Sequence, residues 1–300
     1  MAALALTSGL LVATGGRHVN PVAETAAPSP SAPTTTATEP DPTTSTSADT
    51  PEPAPPDPAV VAAEVTDAVT AASRGTSLGF VLYDRKTGKQ LAATNPDKAY
   101  YTASVVKLLI AIDEVHQDDS DTWELPDADT VDDLSDMLSG SNDAIASAFW
   151  ESNGGNSIVT RTAALIGLEH TTPPSDPTQW GMARTSADDV VTTYQYLENT
   201  IPDAVAQPLL TALGNARNPA DDGWNQYFGI PDGLPGTSWQ IKQGWMILKN
   251  ALVLNTTGVV DSRYVVVLLT QQPLISSAKG RAAVTAGIKT LGPVLGKLSA

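Results

Sequence analysis

A chain of 300 residues without a single cysteine excludes disulfides, thiolate metal sites, iron–sulfur clusters and a cysteine nucleophile. Its formal charge of −16, from 33 acids against 17 bases, opposes binding to nucleic acid, which needs clustered lysine and arginine. The histidines are His18, His116 and His170, too widely spaced for a histidine metal centre, so neither a metal nor a cofactor is expected.

Residues 1–19 open with an uncharged, mostly apolar run (MAALALTSGLLVATGG). It falls short of the roughly 20 residues that span a bilayer. It suits the apolar centre of a secretory signal, but the basic stretch that precedes such a centre is missing. The natural start is therefore expected upstream of Met1. Any membrane contact is expected through this segment alone, and no cysteine is present to carry a lipid. Residues 20–58 are rich in Pro, Thr, Ser and Ala, and the first 58 residues hold 11 of the 23 prolines. So little apolar area cannot offset the entropy of ordering, so a disordered spacer is expected. Residues 59–300 form one folding unit.

Within that unit, Val61, Val65 and Val69 recur at four-residue steps and predict a helix over 59–73. The runs 77–84 and 90–95 predict two strands of a hairpin around a turn containing Gly88. A helix is predicted from Ser104 through SVVKLLIAIDEV, with others over 130–138, 143–151, 158–166, 186–197 and 204–213. Strands follow over 238–247, 249–254 and 264–270. A last helix runs over 277–298, cut by Gly292 and Pro293. Strands at both ends with helices between predict an α/β (α+β) fold. One antiparallel sheet is built from the two ends and flanked by helices, with a separate helical lobe.

Chemistry concentrates at a few points. Ser104-Val-Val-Lys107 places a hydroxyl and an amine on one helix face, at a helix start that supplies free N–H groups. A partly desolvated lysine there can serve as base for a serine nucleophile. Alone, the spacing is weak. Ser276–Lys279 repeats it and reads as the polar start of the last helix. Further on, SGSNDAIASAFW puts Ser141 and Asp143 at a helix head. Lys242-Gln243-Gly244-Trp245 lies on a predicted strand, where Gly244 permits close backbone approach.

These three segments, in this order, resemble the serine β-lactamase and penicillin-binding protein superfamily, in its class A β-lactamase-related branch. Asn153-Gly-Gly155 before a helix ending in Ile-Gly-Leu, and Arg184-Thr-Ser-Ala-Asp-Asp opening the next, fit the same branch. The resemblance covers about residues 75–297 and implies a β-lactamase/transpeptidase-like fold. It implies Ser104 as nucleophile and Lys107 as its base. Ser141 relays a proton to the leaving group, and Lys242 tunes Ser141 and attracts an anionic substrate. The backbone N–H groups of Ser104 and Trp245 make the oxyanion hole. Asp143, Gln243, Gly244 and Trp245 are the implied substrate-binding positions. A literal Lys86-Thr87-Gly88 precedes the serine and belongs to the hairpin turn.

The chain departs from that pattern at three points. Asp143 replaces the branch's Asn, with Asn142 one place earlier. Gln243 replaces a hydroxyl residue. The loop over 170–183 lacks the Glu that activates the deacylating water, and Glu169 and Asp176 are poor substitutes. The expected function is therefore an exported, cell-envelope serine hydrolase with weak or no β-lactam turnover. Its substrates would be small acyl, peptide or β-lactam compounds, peptidoglycan among them, acted on by a monomer. The alternative is a decayed relative that acts as a cell-envelope binding module. Membrane-anchored signalling through the tail rests only on the apolar N-terminus. The acids at 118–121 and 127–133 read as solvated loops, since the spacing of a calcium loop is absent. Trp123, Trp150, Trp180, Trp224 and Trp239 read mainly as core, with Trp224 and Tyr227 the best pocket candidates. Arg217 is a weaker candidate for anion binding.

Overall fold

A computed structural model of the chain describes residues 57–117 and 122–299. The apolar start, most of the Pro/Thr spacer and the acids at 118–121 lie outside the described residues. Helix α1 (Pro58–Ala72) begins where the Asp57 carboxylate accepts the Ala59 N–H, and it buries Val61, Val65 and Val69. Strands β1 (Ser77–Asp84) and β2 (Lys89–Thr94) form the expected hairpin. In its turn, Asp84 accepts the Lys86 N–H and the Thr87 hydroxyl, so Lys86-Thr87-Gly88 is turn chemistry.

The chain then leaves the sheet. A short strand β3 (Tyr100–Tyr101) leads into a 3₁₀ turn (Ala103–Val106) and helix α2 (Lys107–Val115). A two-residue ribbon follows, β4 (His116–Gln117) with β5 (Thr122–Trp123). Helices α3 (Ala128–Ser139), α4 (Asp143–Ser152) and α5 (Asn156–Ile166) make the helical lobe. A loop with a 3₁₀ turn (Trp180–Met182) returns to β6 (Arg184–Thr185), which pairs with β3. Helices α6 (Ala187–Asn199), α7 (Asp203–Gly214) and the single-turn α8 (Ile230–Gly233) precede the remaining strands.

Those strands are β7 (Trp239–Ile241), β8 (Gly244–Ile247), β9 (Ala251–Val260) and β10 (Tyr264–Pro273). Helices α9 (Ser277–Lys289) and α10 (Gly292–Ser299) close the fold. The sheet order is β2-β1-β10-β9-β7, with β8 also on β9, and every pairing is antiparallel. Alternation along β10 sorts the core. Val265, Val267 and Leu269 pack with α2, α5, α6 and α7, whereas Val266 and Leu268 pack with α1 and α9. Covering both faces is why β9 and β10 read as near-continuous apolar runs.

Three expectations on element boundaries are corrected. The strand over 238–247 is interrupted at Lys242 and Gln243, where the backbone turns a buried amine toward the helical lobe. The strand placed at 249–254 begins at Ala251 and runs six residues further, because Asn255-Thr-Thr is polar yet paired throughout with β10. Ser104 sits in a 3₁₀ turn rather than in the α-helix itself. At three residues per turn, positions 104 and 107 eclipse.

Candidate active site

The segment leading to Ser104 is held from two sides. On β9, the Asn255 amide donates to the carbonyls of Tyr101 (2.9 Å) and Thr102 (3.0 Å), and its oxygen accepts the Thr270 N–H. From the 170–183 loop, the Ala183 carbonyl accepts the Thr102 N–H at 2.8 Å. Gly244 lets the two backbones approach, since a Cβ there would lie 2.6 Å from the Thr102 carbonyl oxygen. The next residue, Ala103, has φ 44°, a left-handed conformation that costs a non-glycine residue about 1 kcal/mol or more. Ser141, with φ 56°, shares that strain.

Both strained residues flank one buried cluster. The Lys107 amine, wholly buried, donates to Ser104 Oγ at 3.1 Å, to the Ser141 carbonyl at 2.6 Å and to Ser141 Oγ at 3.3 Å. The buried Lys242 amine donates to the same Ser141 Oγ at 2.9 Å. One hydroxyl thus bridges two amines. The structure brings Ser104, Lys107, Ser141 and Lys242 together. Burial pulls Lys107 below the usual amine range, and the Asp143 carboxylate at 2.5 Å opposes that shift. Burial pulls Lys242 well below it too, and the neighbouring Lys107 charge adds to this.

The Asn–Asp exchange has a local cause. Asn142 caps α4, its oxygen accepting the Ile145 N–H at 3.0 Å, and its amide donates to Asp221. Asp143, the first residue of α4, is left facing Lys107, with 62 % of its side chain exposed.

The remaining assignments divide. Trp245 lines the cavity over Ser104, with Trp180 and Asp143. Its indole N–H donates to Asp222 at 2.9 Å, and its ring stacks on Trp224 at 5.9 Å. Gln243 is turned away from that cavity. Its amide donates to the Gln226 and Phe228 carbonyls and the residue is fully buried, so its side chain is a packing element rather than a ligand contact. Arg217 is spent on Asp136 (2.6 Å) and Asp221 (2.8 Å), which corrects its reading as an anion binder. Tyr227 donates to the Ala216 carbonyl and lines a different depression, beside α9.

The 170–183 loop brings no carboxylate to the cluster. Glu169 is exposed, and Asp176 is occupied by the Thr178 backbone N–H and hydroxyl. The loop presents Trp180, whose ring lies 4.9 Å from the Lys107 nitrogen and whose N–H donates to Ser147. Trp180 therefore lines the cavity while also packing against the core of the helical lobe. Sequence reasoning also missed Asn255, although one asparagine inside an apolar strand was a visible signal. No group of metal-ligating side chains occurs among the described residues.

Residues 61–143, which carry the Ser104–Lys107 pair and Ser141, match the β-lactamase enzyme family. The candidate lipoprotein LppW of Mycobacterium tuberculosis is 35 % identical over 229 residues, covering 74 % of this chain and 72 % of that protein. The chain belongs to this β-lactamase-related family. LppW of Mycobacterium bovis matches to the same extent. The fold of this β-lactamase relative recurs in a β-lactamase from Chitinophaga pinensis, at 14 % identity and TM-score 0.64, covering 79 % and 99 % of the two chains. A class A β-lactamase from Bacteroides cellulosilyticus gives 11 % and 0.63, covering 78 % and 98 %. PBP-A gives 16 % and 0.60, covering 78 % and 96 %.

Proposed function

We propose that this β-lactamase-family chain is a serine acyl hydrolase that works through an acyl-enzyme on Ser104 and turns β-lactams over poorly or not at all. The supporting observation is the shared hydroxyl: Ser141 Oγ lies within 3.3 Å of Lys107 and 2.9 Å of Lys242, with Ser104 Oγ 3.1 Å from Lys107. Neutral Lys107 takes the Ser104 proton as Oγ bonds to the acyl carbonyl carbon. The oxyanion is met by the backbone N–H groups of Ser104 and Trp245. As the bond to the leaving group breaks, that proton passes from Lys107 through the Ser141 hydroxyl to the leaving atom. The products are acyl-Ser104 and a protonated leaving group, and water later releases the acid and restores the serine.

Deacylation is the weak step. The loop offers an indole where a water-activating carboxylate is needed, which supports slow acyl-enzyme turnover. The contact between Asp143 and Lys107 favours a second reading, a binding module with a silenced base, because a carboxylate at 2.5 Å holds the proton on the amine. Export to the cell envelope is supported by the apolar first residues and by the description of LppW as a candidate lipoprotein. This sequence itself contains no cysteine for a lipid.

The deciding experiment incubates the full chain, and its Ser104→Ala variant, with a fluorophosphonate and a fluorescent penicillin, followed by intact mass. An adduct on the wild type alone supports the hydrolase. No adduct with either probe on folded protein leaves the binding module.

A further inference from the structure

The cavity over Ser104 has a charge pattern that selects its substrate. It measures about 320 Å³. Among the described residues that line it, one carries formal charge, and that charge is negative: Asp143, 62 % exposed at the side chain. The two lysines beneath it are no more than 1 % exposed, so they do not reach an incoming group without rearrangement. Arg217, a cation at the surface, is paired with Asp136 and Asp221, and Arg184, in the neighbouring depression that shares Gln179, lies over the Tyr101 ring and donates to the Ala99 carbonyl. Asp222 adds a further carboxylate, held by the Trp245 N–H at 2.9 Å. The other walls include the indoles of Trp180 and Trp245, whose faces attract cations.

We infer that the acyl donor of this site carries a positive charge, an ammonium or guanidinium on the acyl side, and that carboxylate-bearing donors are disfavoured. The inference rests on the acyl-enzyme reading above. It reverses the expectation that Lys242 draws in an anion, because Lys242 is sealed behind Ser141. It also gives the contact between Asp143 and Lys107 a role. A bound ammonium competes with Lys107 for the Asp143 carboxylate, which weakens the hold on the Lys107 proton and favours the neutral amine that serves as base. The substrate's own charge then arms the site.

The test uses three p-nitrophenyl esters of matched length on the full chain: pentanoate, 4-(trimethylammonio)butanoate and hemiglutarate. Nitrophenolate release and the mass of acyl-Ser104 are followed. The expected acylation rate for the cationic ester exceeds that for the anionic one by roughly tenfold or more, and the ratio shrinks as salt is raised. In Asp143→Asn the same ratio falls toward one, and in Asp222→Asn it falls less. An anionic ester that reacts as fast as the cationic one, or a ratio untouched by Asp143→Asn and by salt, overturns the inference. If no ester acylates Ser104, the nucleophile reading is what fails. The charge preference is then read on Ser104→Ala by calorimetry with 4-(trimethylammonio)butyramide and glutaramate. Tighter binding of the cationic amide sustains it, and equal or reversed binding, or no binding of either, removes it.

Discussion

The Asp143 carboxylate lies 2.5 Å from the Lys107 amine, and that amine lies 3.1 Å from Ser104 Oγ. Two opposing influences therefore meet at one amine. Burial favours the neutral amine that the proposed acylation needs, and Asp143 favours the charged one. Asp221 and Asp222, on the loop after α7, act in the same sense as Asp143, while Lys242 lies across Ser141.

Replacing Asp143 by Asn removes the principal group that holds the proton on Lys107. The Lys107 pKa is expected to fall further below the usual amine range. The reactive form is neutral, so the acid limb of the rate profile moves to lower pH. On that limb, lowering the Lys107 pKa by one raises the neutral fraction about tenfold at a given pH. Fluorophosphonate labelling of Ser104 measured from pH 5 to pH 9 reads this directly. A limb that stays in place would show that Asp143 does not govern the base.

Much of this arrangement was legible in the sequence, for reasons of range. Ser104 and Lys107 are three residues apart, so any helical turn makes them neighbours, and Val61, Val65 and Val69 announce their buried face by spacing alone. The order of the three motifs, with Lys242 well after Ser141 and just before the last strands, located the second amine. The contacts that were not legible depend on how distant loops settle. Trp180 reaches Lys107 across 73 positions of sequence, Asn255 reaches Thr102 across 153, and no local pattern encodes either. Gln243 was misassigned for the same reason. Its partners, Gln226 and Phe228, lie on a loop whose path periodicity does not describe.

The bridging hydroxyl predicts a dependence on the leaving group. Ser141→Ala removes the relay between Lys107 and the leaving atom. Nitrophenolate departs without a proton, so acylation by p-nitrophenyl esters should change little. Alkyl esters and amides need that proton, and their acylation should fall by about 10²-fold or more. Competing a nitrophenyl ester against a methyl ester of the same acid, in wild type and variant, gives the ratio. Equal losses for both would place Ser141 in a purely structural role.

Asn255 predicts a link between stability and reactivity. Asn255→Ala takes the amide partner from the Tyr101 carbonyl and from the Thr270 N–H in a buried setting, while the Thr102 carbonyl keeps the Val105 N–H at 3.1 Å. Each buried group left unpaired costs about 1–3 kcal/mol, so an unfolding free energy lower by at least about 2 kcal/mol is expected in urea. The strained turn at Ala103 also loses its anchor, so Ser104 labelling should slow under conditions where the variant is still folded. A destabilised variant that labels at the wild-type rate would separate the anchor from the chemistry.

Trp180 predicts the lifetime of the acyl-enzyme. Its indole lies 4.9 Å from the Lys107 nitrogen and its N–H donates to Ser147, so an aromatic ring stands on the side of the cluster where the loop carries no carboxylate. Trp180→Ala opens that side. The acyl-Ser104 adduct, followed by intact mass after removal of excess ester, should decay roughly tenfold faster as water gains access. Trp180→Phe keeps an aromatic face over the amine and loses only the bond to Ser147, so its adduct should persist nearly as long as the wild type's. If both variants decay at the wild-type rate, the indole does not exclude the deacylating water, and the slow step lies with the missing base alone.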